Sequence, residues 1–320
     1  MKKMRKIRAL LAAFTLTLPS WHVQAGEIAI ETGEGNVAAL LERDAHDFTD
    51  AVGRALIDLT DSPPSGKTFA WLRSKVQGAT LARIEYAFEK NGQRVMRVYH
   101  GRSGHSLETI IEKATRRSAS HASGTESSAT ESGDGIDIPE ADDIARDAAE
   151  AKYYRRETEF DVRAPKLPED TSRLEATVVD NMNHSWDAEL KTLRRIESDI
   201  QNKVVPAGGR LTGYVSKTVC ESCREVIDTF ARVFNAEGTI YQLIEPGTGA
   251  VTGGGATAIQ RSRAASNDLL AARKAYAKAN LNPARYVAMR EEGASTLADV
   301  SRLEEESVVL RDIDGDPCAP

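Results

Sequence analysis

DAELKTLRRIESDI at residues 187–200 and RLTGYVSKTVCESCREVIDTFARVF at residues 210–234 are the two stretches whose reading decides the fold. In the first, Leu190, Leu193, Ile196 and Ile200 recur at three- and four-residue spacing. This predicts a helix with one buried face running to about Lys203, which Pro206-Ala207-Gly208-Gly209 then breaks. In the second, Leu211–Lys217 reads as a strand. A helix follows, with Val226, Ile227, Phe230, Val233 and Phe234 on its core face, and TIYQLI at 239–244 reads as the next strand. Upstream, residues 81–89 and 94–100 are β-rich runs around Lys90-Asn91-Gly92-Gln93, and the Asn-Gly step marks a hairpin. Arg173–Val179 is a further expected strand. The order β-β, insertion, α-β-α-β is that of a layered α/β domain with a central mixed sheet and flanking helices.

Working outward, residues 36–59 and 68–76 have helical spacing, as do 141–154, 256–280 and a segment near 295–308. Residues 118–143 are Ser, Thr, Gly, Asp and Glu with few large apolar side chains, so burial does not offset their ordering entropy, and a disordered acidic insertion is expected. The glycines from 247 to 255 lack the Gly-Lys-Ser/Thr of a phosphate loop and read as a linker. The division expected is therefore a signal peptide at 1–25, a helical N-terminal region at 26–64, the α/β domain at 65–246, and a Gly-rich linker with a helical C-terminal region at 247–320.

The first 25 residues have a basic start, an apolar run from Ala9 to Leu18 and a Val23-Gln24-Ala25 ending, the pattern of a secretory signal cleaved before Gly26. The run is shorter than the roughly 20 residues of a spanning helix, so a secreted or periplasmic protein without stable membrane association is expected. The chain has 42 basic and 48 acidic residues, and loss of the five basic residues in the leader takes it from −6 to about −11. The balance is uneven: residues 66–117 hold 11 basic and 4 acidic residues, whereas 118–150 hold 1 and 9. Global acidity argues against a polyelectrolyte clamp on nucleic acid, but the basic block can meet phosphate locally.

Cys220 and Cys223 form a Cys-x-x-Cys pair at the start of the second helix. Thr218 and Glu221 have capping-box spacing, which would put Cys220 in the first turn and Cys223 one turn on. The helix N-terminal field favours thiolates there. By itself the pair fits a disulfide, a redox couple or half a metal site. Two thiolates do not complete a tetrahedral zinc site, and the start of the preceding helix offers a donor: Asp187, at the cap, can ligate while Glu189 handles protons. Asp187 has a plainer use as a helix cap and Glu189 as a solvated first-turn carboxylate; His184, three residues before Asp187, is a substitute ligand or more plainly a surface loop residue, and Trp186 a base-stacking platform or more plainly core.

These residues resemble the cytidine-deaminase-like superfamily, whose signature is His-x-Glu followed by Pro-Cys-x-x-Cys on the next helix, and within it the deaminase domains of bacterial polymorphic toxins. The resemblance spans roughly Ser65–Glu245 and includes the hairpin LARIEYAFEKNGQRVMRVYHGRSG with its Ser103-Gly104 ending. Val219 stands in place of the usual Pro, and Asp187 in place of the usual His. The resemblance implies a cytidine-deaminase-like layered fold and a secreted zinc-dependent hydrolase, a toxin or effector deaminating cytosine in nucleic acid or nucleotides. It implies Zn2+ held by Asp187, Cys220 and Cys223, Glu189 as proton shuttle, Ser103, Gly104 and His105 near substrate, and an immunity protein as possible partner. His100 and Arg102 are further candidates for substrate contact. The alternatives are an exported thiol-disulfide oxidoreductase using Cys220 and Cys223, although no Trp-Cys-Gly-Pro-Cys motif is present, and a non-catalytic secreted binding protein on a degenerate deaminase scaffold.

Overall fold

A computed structural model describes residues 26–122, 140–154, 158, 160–179, 182–247 and 255–291. The expected signal peptide, the helix near 295–308 and most of the glycine-rich linker lie outside these residues. The strands are β1 (Ile28–Thr32), β2 (Leu81–Lys90), β3 (Gln93–Arg102), β4 (Asp161–Arg163), the short β5 (Val178–Val179) and β6 (Met182–Asn183), β7 (Arg210–Val215) and β8 (Glu237–Gln242). The helices are α1 (Gly35–Leu59), α2 (Gly66–Gly78), α3 (Leu107–Ala122), α4 (Glu140–Ala149), α5 (Ala188–Gln201), α6 (Glu221–Phe234), α7 (Ala256–Asn280) and α8 (Pro283–Glu291). The protein is thus α/β, with a mixed six-stranded sheet in the order β1-β8-β7-β2-β3-β4.

The hairpin forms where Asn91 and Gly92 take positive φ, 56° and 77°, the two-residue turn that matches strand twist. β2 pairs antiparallel with both β3 and β7, so those two strands run parallel to each other and end on the same edge of the sheet. Ala82 lies opposite both Gly101 and Val215, which sets the two strand ends about 10 Å apart, two inter-strand spacings.

The sheet separates two cores. On one face, α5 and α6 bury Leu190, Leu193, Ile196, Val226, Ile227 and Phe230 against Ile84, Tyr86, Leu211 and Ile240. On the other, Leu41, Phe48, Val52 and Leu56 of α1 pack with Phe69, Leu72, Ile111, Leu269 and Leu281. The helical segments expected as terminal extensions therefore form the second layer, α1 lying along α7 and both touching the sheet.

Several expectations need correction. The stretch 26–64 opens with a strand, β1, which adds parallel to β8 at the sheet edge. Of the strand expected at 173–179 only Val178–Val179 pairs; Leu174 instead turns its carbonyl to Arg194, which donates to it at 2.9 and 2.7 Å. The expected disordered insertion is helical at both described ends, since α3 runs to Ala122 and α4 starts at Glu140. The helix expected at 141–154 is present as α4, and it opens within the segment expected to be disordered; there Asp143 is buried, accepting from the Ser106 N–H and the Thr109 hydroxyl, rather than solvated. No helix among the described residues is long and apolar enough to cross a membrane.

Candidate metal centre

The common strand edge brings the starts of α5 and α6 together. Gly101, near the end of β3, lies so close to α5 that a Cβ there would sit 2.6 Å from the Ala188 carbonyl oxygen. Only glycine allows the first turn of α5 this approach to the strand. The loop from β7 to α6 is fastened by two buried side chains: the Leu81 N–H donates to Ser216 Oγ at 2.8 Å, and the Val219 N–H donates to Gln242 Oε1 at 2.8 Å. Neither Ser216 nor Gln242 was legible as a site residue, because their role depends on strand pairing across more than 20 positions.

Asp187 occupies the N-cap of α5, but its carboxylate caps no helix N–H. Oδ2 lies 2.7 Å from His184 Nδ1, 3.4 Å from Cys223 Sγ and 3.7 Å from Cys220 Sγ. The Asp187 cap position is as expected, whereas the Thr218 capping box does not form. Helix α6 begins at Glu221, Cys220 is the N-cap residue, and its sulfur accepts the Cys223 N–H at 3.3 Å. Thr218 Oγ1 is buried without a hydrogen-bond partner.

Donor atoms of His184, Asp187 and Cys220 all lie within 4.8 Å of one another, close enough to hold a metal ion. His184, set aside from sequence as a surface residue, is thus part of the cluster; its side chain is only 14% exposed. A tetrahedral zinc site has sulfur separated from oxygen or nitrogen by about 3.6 Å, and nitrogen from oxygen by about 3.4 Å. The S···O distances of 3.4 and 3.7 Å and the Cys220–His184 distance of 3.8 Å fit. The His184–Asp187 distance of 2.7 Å is instead that of a hydrogen bond, the contact by which a neighbour orients a ligating carboxylate. The expected ligand Cys223 is not part of that three-residue group, although its sulfur lies 3.4 Å from Asp187 Oδ2; thiolate, carboxylate and imidazole are donor types that zinc accepts.

Hydrogen bonds from Cys223 hold the Cys220 thiol down to about 7, against the effect of burial. Cys223 is pushed upward, first by its bond to Cys220 and then by burial. Both cysteines are free thiols. Glu189, in the first turn of α5, is 4% exposed, and burial lifts its carboxyl to about 8, helped by Asp187. The solvated-carboxylate alternative for Glu189 does not hold. Among the described residues no Lys or Arg forms an ion pair with Asp187 or Glu189.

Ser103, Gly104 and His105 lie where β3 runs into α3. Ser103 Oγ accepts the Thr80 N–H at 2.8 Å, and Gly104, at φ 92°, donates its N–H to the Trp186 carbonyl at 3.0 Å. His105 is half exposed, held at Nδ1 by Asp143 at 2.6 Å, with its ring 5.0 Å from that of Trp186. His100 and Arg102 are engaged elsewhere. His100 lies 3.1 Å from both Asp44 and Asp161. Arg102 is buried, with Nη2 2.8 Å from Glu150 and 3.4 Å from Asp147.

Arg102 belongs to an ion network that the sequence did not reveal. Asp147 also takes Lys191 at 3.0 Å and Arg163 at 3.4 Å, and Glu150 accepts from Arg163 and from the Leu107 N–H. Asp143, Asp147 and Glu150 share one face at i, i+4, i+7 spacing, which is the available signal. The ammonium nitrogens of Lys166 and Lys191 lie 4.6 and 4.7 Å from the centre of the Trp186 ring. Trp186 thereby joins the network to the Asp187 cluster. Comparison with protein-family models, with curated proteins and with solved structures finds no match to this chain.

Proposed function

We propose that the protein is a zinc-dependent hydrolytic deaminase of cytidine-deaminase-like fold, secreted as a toxin or effector that acts on cytosine in nucleic acid or nucleotides. One observation carries the reading: the Asp187 carboxylate leaves its helix uncapped to meet two thiols, with the buried carboxyl of Glu189 in the turn that follows. Asp187, Cys220 and Cys223 would hold zinc, with His184 donating to Asp187. Bound zinc supplies a Lewis acid that acidifies water.

The chain's own part is to hold geometry and move protons. The His184 hydrogen bond fixes the Asp187 rotamer, and Gln242 and Ser216 fix the loop that presents Cys220. Glu189 takes one proton of the attacking water and delivers it to the ring nitrogen, then takes the second from the hydroxyl now on the ring carbon and delivers it to the departing amine. The water oxygen bonds to the amine-bearing ring carbon, the C–N bond breaks, and ammonia leaves. Its enclosed position keeps Glu189 out of bulk water, which suits a group that must be protonated and deprotonated in turn.

Elemental analysis of purified protein tests the metal. About one zinc per chain, lost in Cys220→Ala, is expected; no metal with a Cys220–Cys223 disulfide would instead favour the oxidoreductase. Expression of residues 26–320 in a cytosol, followed by sequencing, tests the reaction. C-to-T changes that disappear in Glu189→Ala are expected, and equal backgrounds in the two would sink the deaminase.

A further inference from the structure

On the α2–α3 side of the sheet lies an open groove of about 510 Å3 between α2, α3 and the end of β3, its wall including Trp71, Lys75, Ser103, Gly104, His105 and Lys113. That volume is within the range of ligand sites, about 300–1,000 Å3. No acidic residue lines it. Lys75 Nζ stands 4.9 Å from the centre of the Trp71 ring, and neither Lys75 nor Lys113 forms an ion pair among the described residues. The exposed Lys75 and half-buried Trp71 come from α2, and Lys113 from α3. Both helices belong to the block 66–117 that carries 11 basic and 4 acidic residues in an otherwise acidic protein. The groove is therefore cationic with a flat aromatic wall, the pairing that holds phosphate and base together in single-stranded nucleic acid sites.

Two of its lining residues, Gly104 and His105, touch the chain that enters α5. Gly104 hydrogen-bonds the Trp186 backbone and His105 meets the Trp186 ring, and Trp186 is the residue before Asp187. A ligand lying along the groove thus ends beside the chain that enters α5. The structure of Ser103 and Gly104 favours a supporting role: their polar groups are used within the fold, which leaves His105, Lys75, Lys113 and Trp71 to touch a ligand.

We infer that this groove binds the phosphate-bearing portion of a single-stranded nucleic acid, with Lys75 and Lys113 on phosphate and Trp71 stacked on a base. Its service as a substrate cleft rests on the deaminase reading; its capacity to bind does not. The test is fluorescence anisotropy with a labelled mixed-sequence 12-nucleotide DNA strand, using full-length mature protein carrying Glu189→Gln so that no turnover intervenes.

Affinity should fall at least tenfold in Lys75→Ala/Lys113→Ala and in Trp71→Leu, with Trp71→Phe recovering part of the loss. The slope of log affinity against log salt should decrease by about 1.4 in the lysine double variant, about 0.7 for each phosphate that the protein no longer neutralises. Circular dichroism melts confirm that the variants fold. Binding that survives all of these changes overturns the groove, even if zinc and deamination are present. Binding abolished by them, with no deamination by the wild type, leaves the groove standing and removes the deaminase. Competition by cytidine monophosphate as strong as that by the unlabelled strand would overturn the strand and reduce the ligand to a mononucleotide.

Discussion

The Asp187 cluster and the Asp147 network lie at the same edge of the sheet, joined through Trp186, and they balance charge in opposite ways. Around Asp147 and Glu150, three buried cations answer two buried carboxylates, and further oxygen valences are taken by the Leu107 and Lys166 backbone N–H groups. Around Asp187, one carboxylate, two thiols and the buried Glu189 gather, and among the described residues no Lys or Arg pairs with either carboxyl. The first set pairs both of its carboxylates with the protein's own cations, although Arg163 Nε is buried without a hydrogen-bond partner. In the second, Asp187 has His184 as its partner, and the donor atoms of His184, Asp187 and Cys220 lie close enough together to hold a metal ion.

The sharpest way to break this comparison is at Glu189. Glu189→Gln should lower the rate constant of deamination by about 10²–10⁴ while leaving zinc content near one per chain; steady-state kinetics with elemental analysis reads both. Activity within a few-fold of wild type would return Glu189 to a packing role. In the network, Asp147→Ala strands Arg102, Arg163 and Lys191 on Glu150 alone, and should cost about 3–5 kcal/mol in urea unfolding. A loss below about 1 kcal/mol would show that Glu150 suffices and that the two clusters differ less than argued.

Smaller effects divide the donor cluster internally. His184→Ala should weaken zinc binding by about 10–100-fold, as expected for a group orienting a ligand, and Asp187→Ala by more; competition with a chromogenic chelator measures both. The reverse order would make His184 the ligand and Asp187 its partner. Finally, His100 repeats the compensation of Arg102 in titratable form. Burial lowers its pKa, but the Asp44 and Asp161 carboxylates outweigh this and the repulsion of Arg83, holding it at about 9. A folded-state value above the ordinary 6.5 stabilises fully below about pH 6.5, and the contribution fades as pH rises through about 9. Wild type should therefore lose on the order of 2 kcal/mol relative to His100→Gln between about pH 6 and about pH 9.5, allowing for partial exposure. Parallel pH profiles of the two proteins would contradict the pairing.

The donor residues themselves are legible wherever chemistry and local spacing coincide. Cys220-x-x-Cys223 and Asp187-x-Glu189 stand at helix starts that apolar periodicity already marks, and the Asn91-Gly92 turn announces its hairpin. Less legible is His184, three residues before Asp187 in a segment without periodicity, where only the folded loop turns its Nδ1 onto the carboxylate. The capping box misleads for a related reason: Thr218 and Glu221 have the right spacing, but the loop is anchored by Gln242, so the helix starts later and Cys220 caps it.

Sequence by itself determined the hairpin, the amphipathic helices α5 and α6, the strands flanking them and the residue types at their starts, because these follow from side-chain period, turn chemistry and helix ends, all of which are local. Only the tertiary structure decided that β1 joins the sheet, that α1 and α7 form its second layer, and that carboxylates of the acidic segment pair with Arg102, Arg163 and Lys191. It also decided that His184 meets Asp187 and that a basic groove is lined by Gly104 and His105, which contact Trp186. Those outcomes depend on which distant groups are desolvated together, and the energy of a buried charge is set by its neighbours in space rather than in sequence.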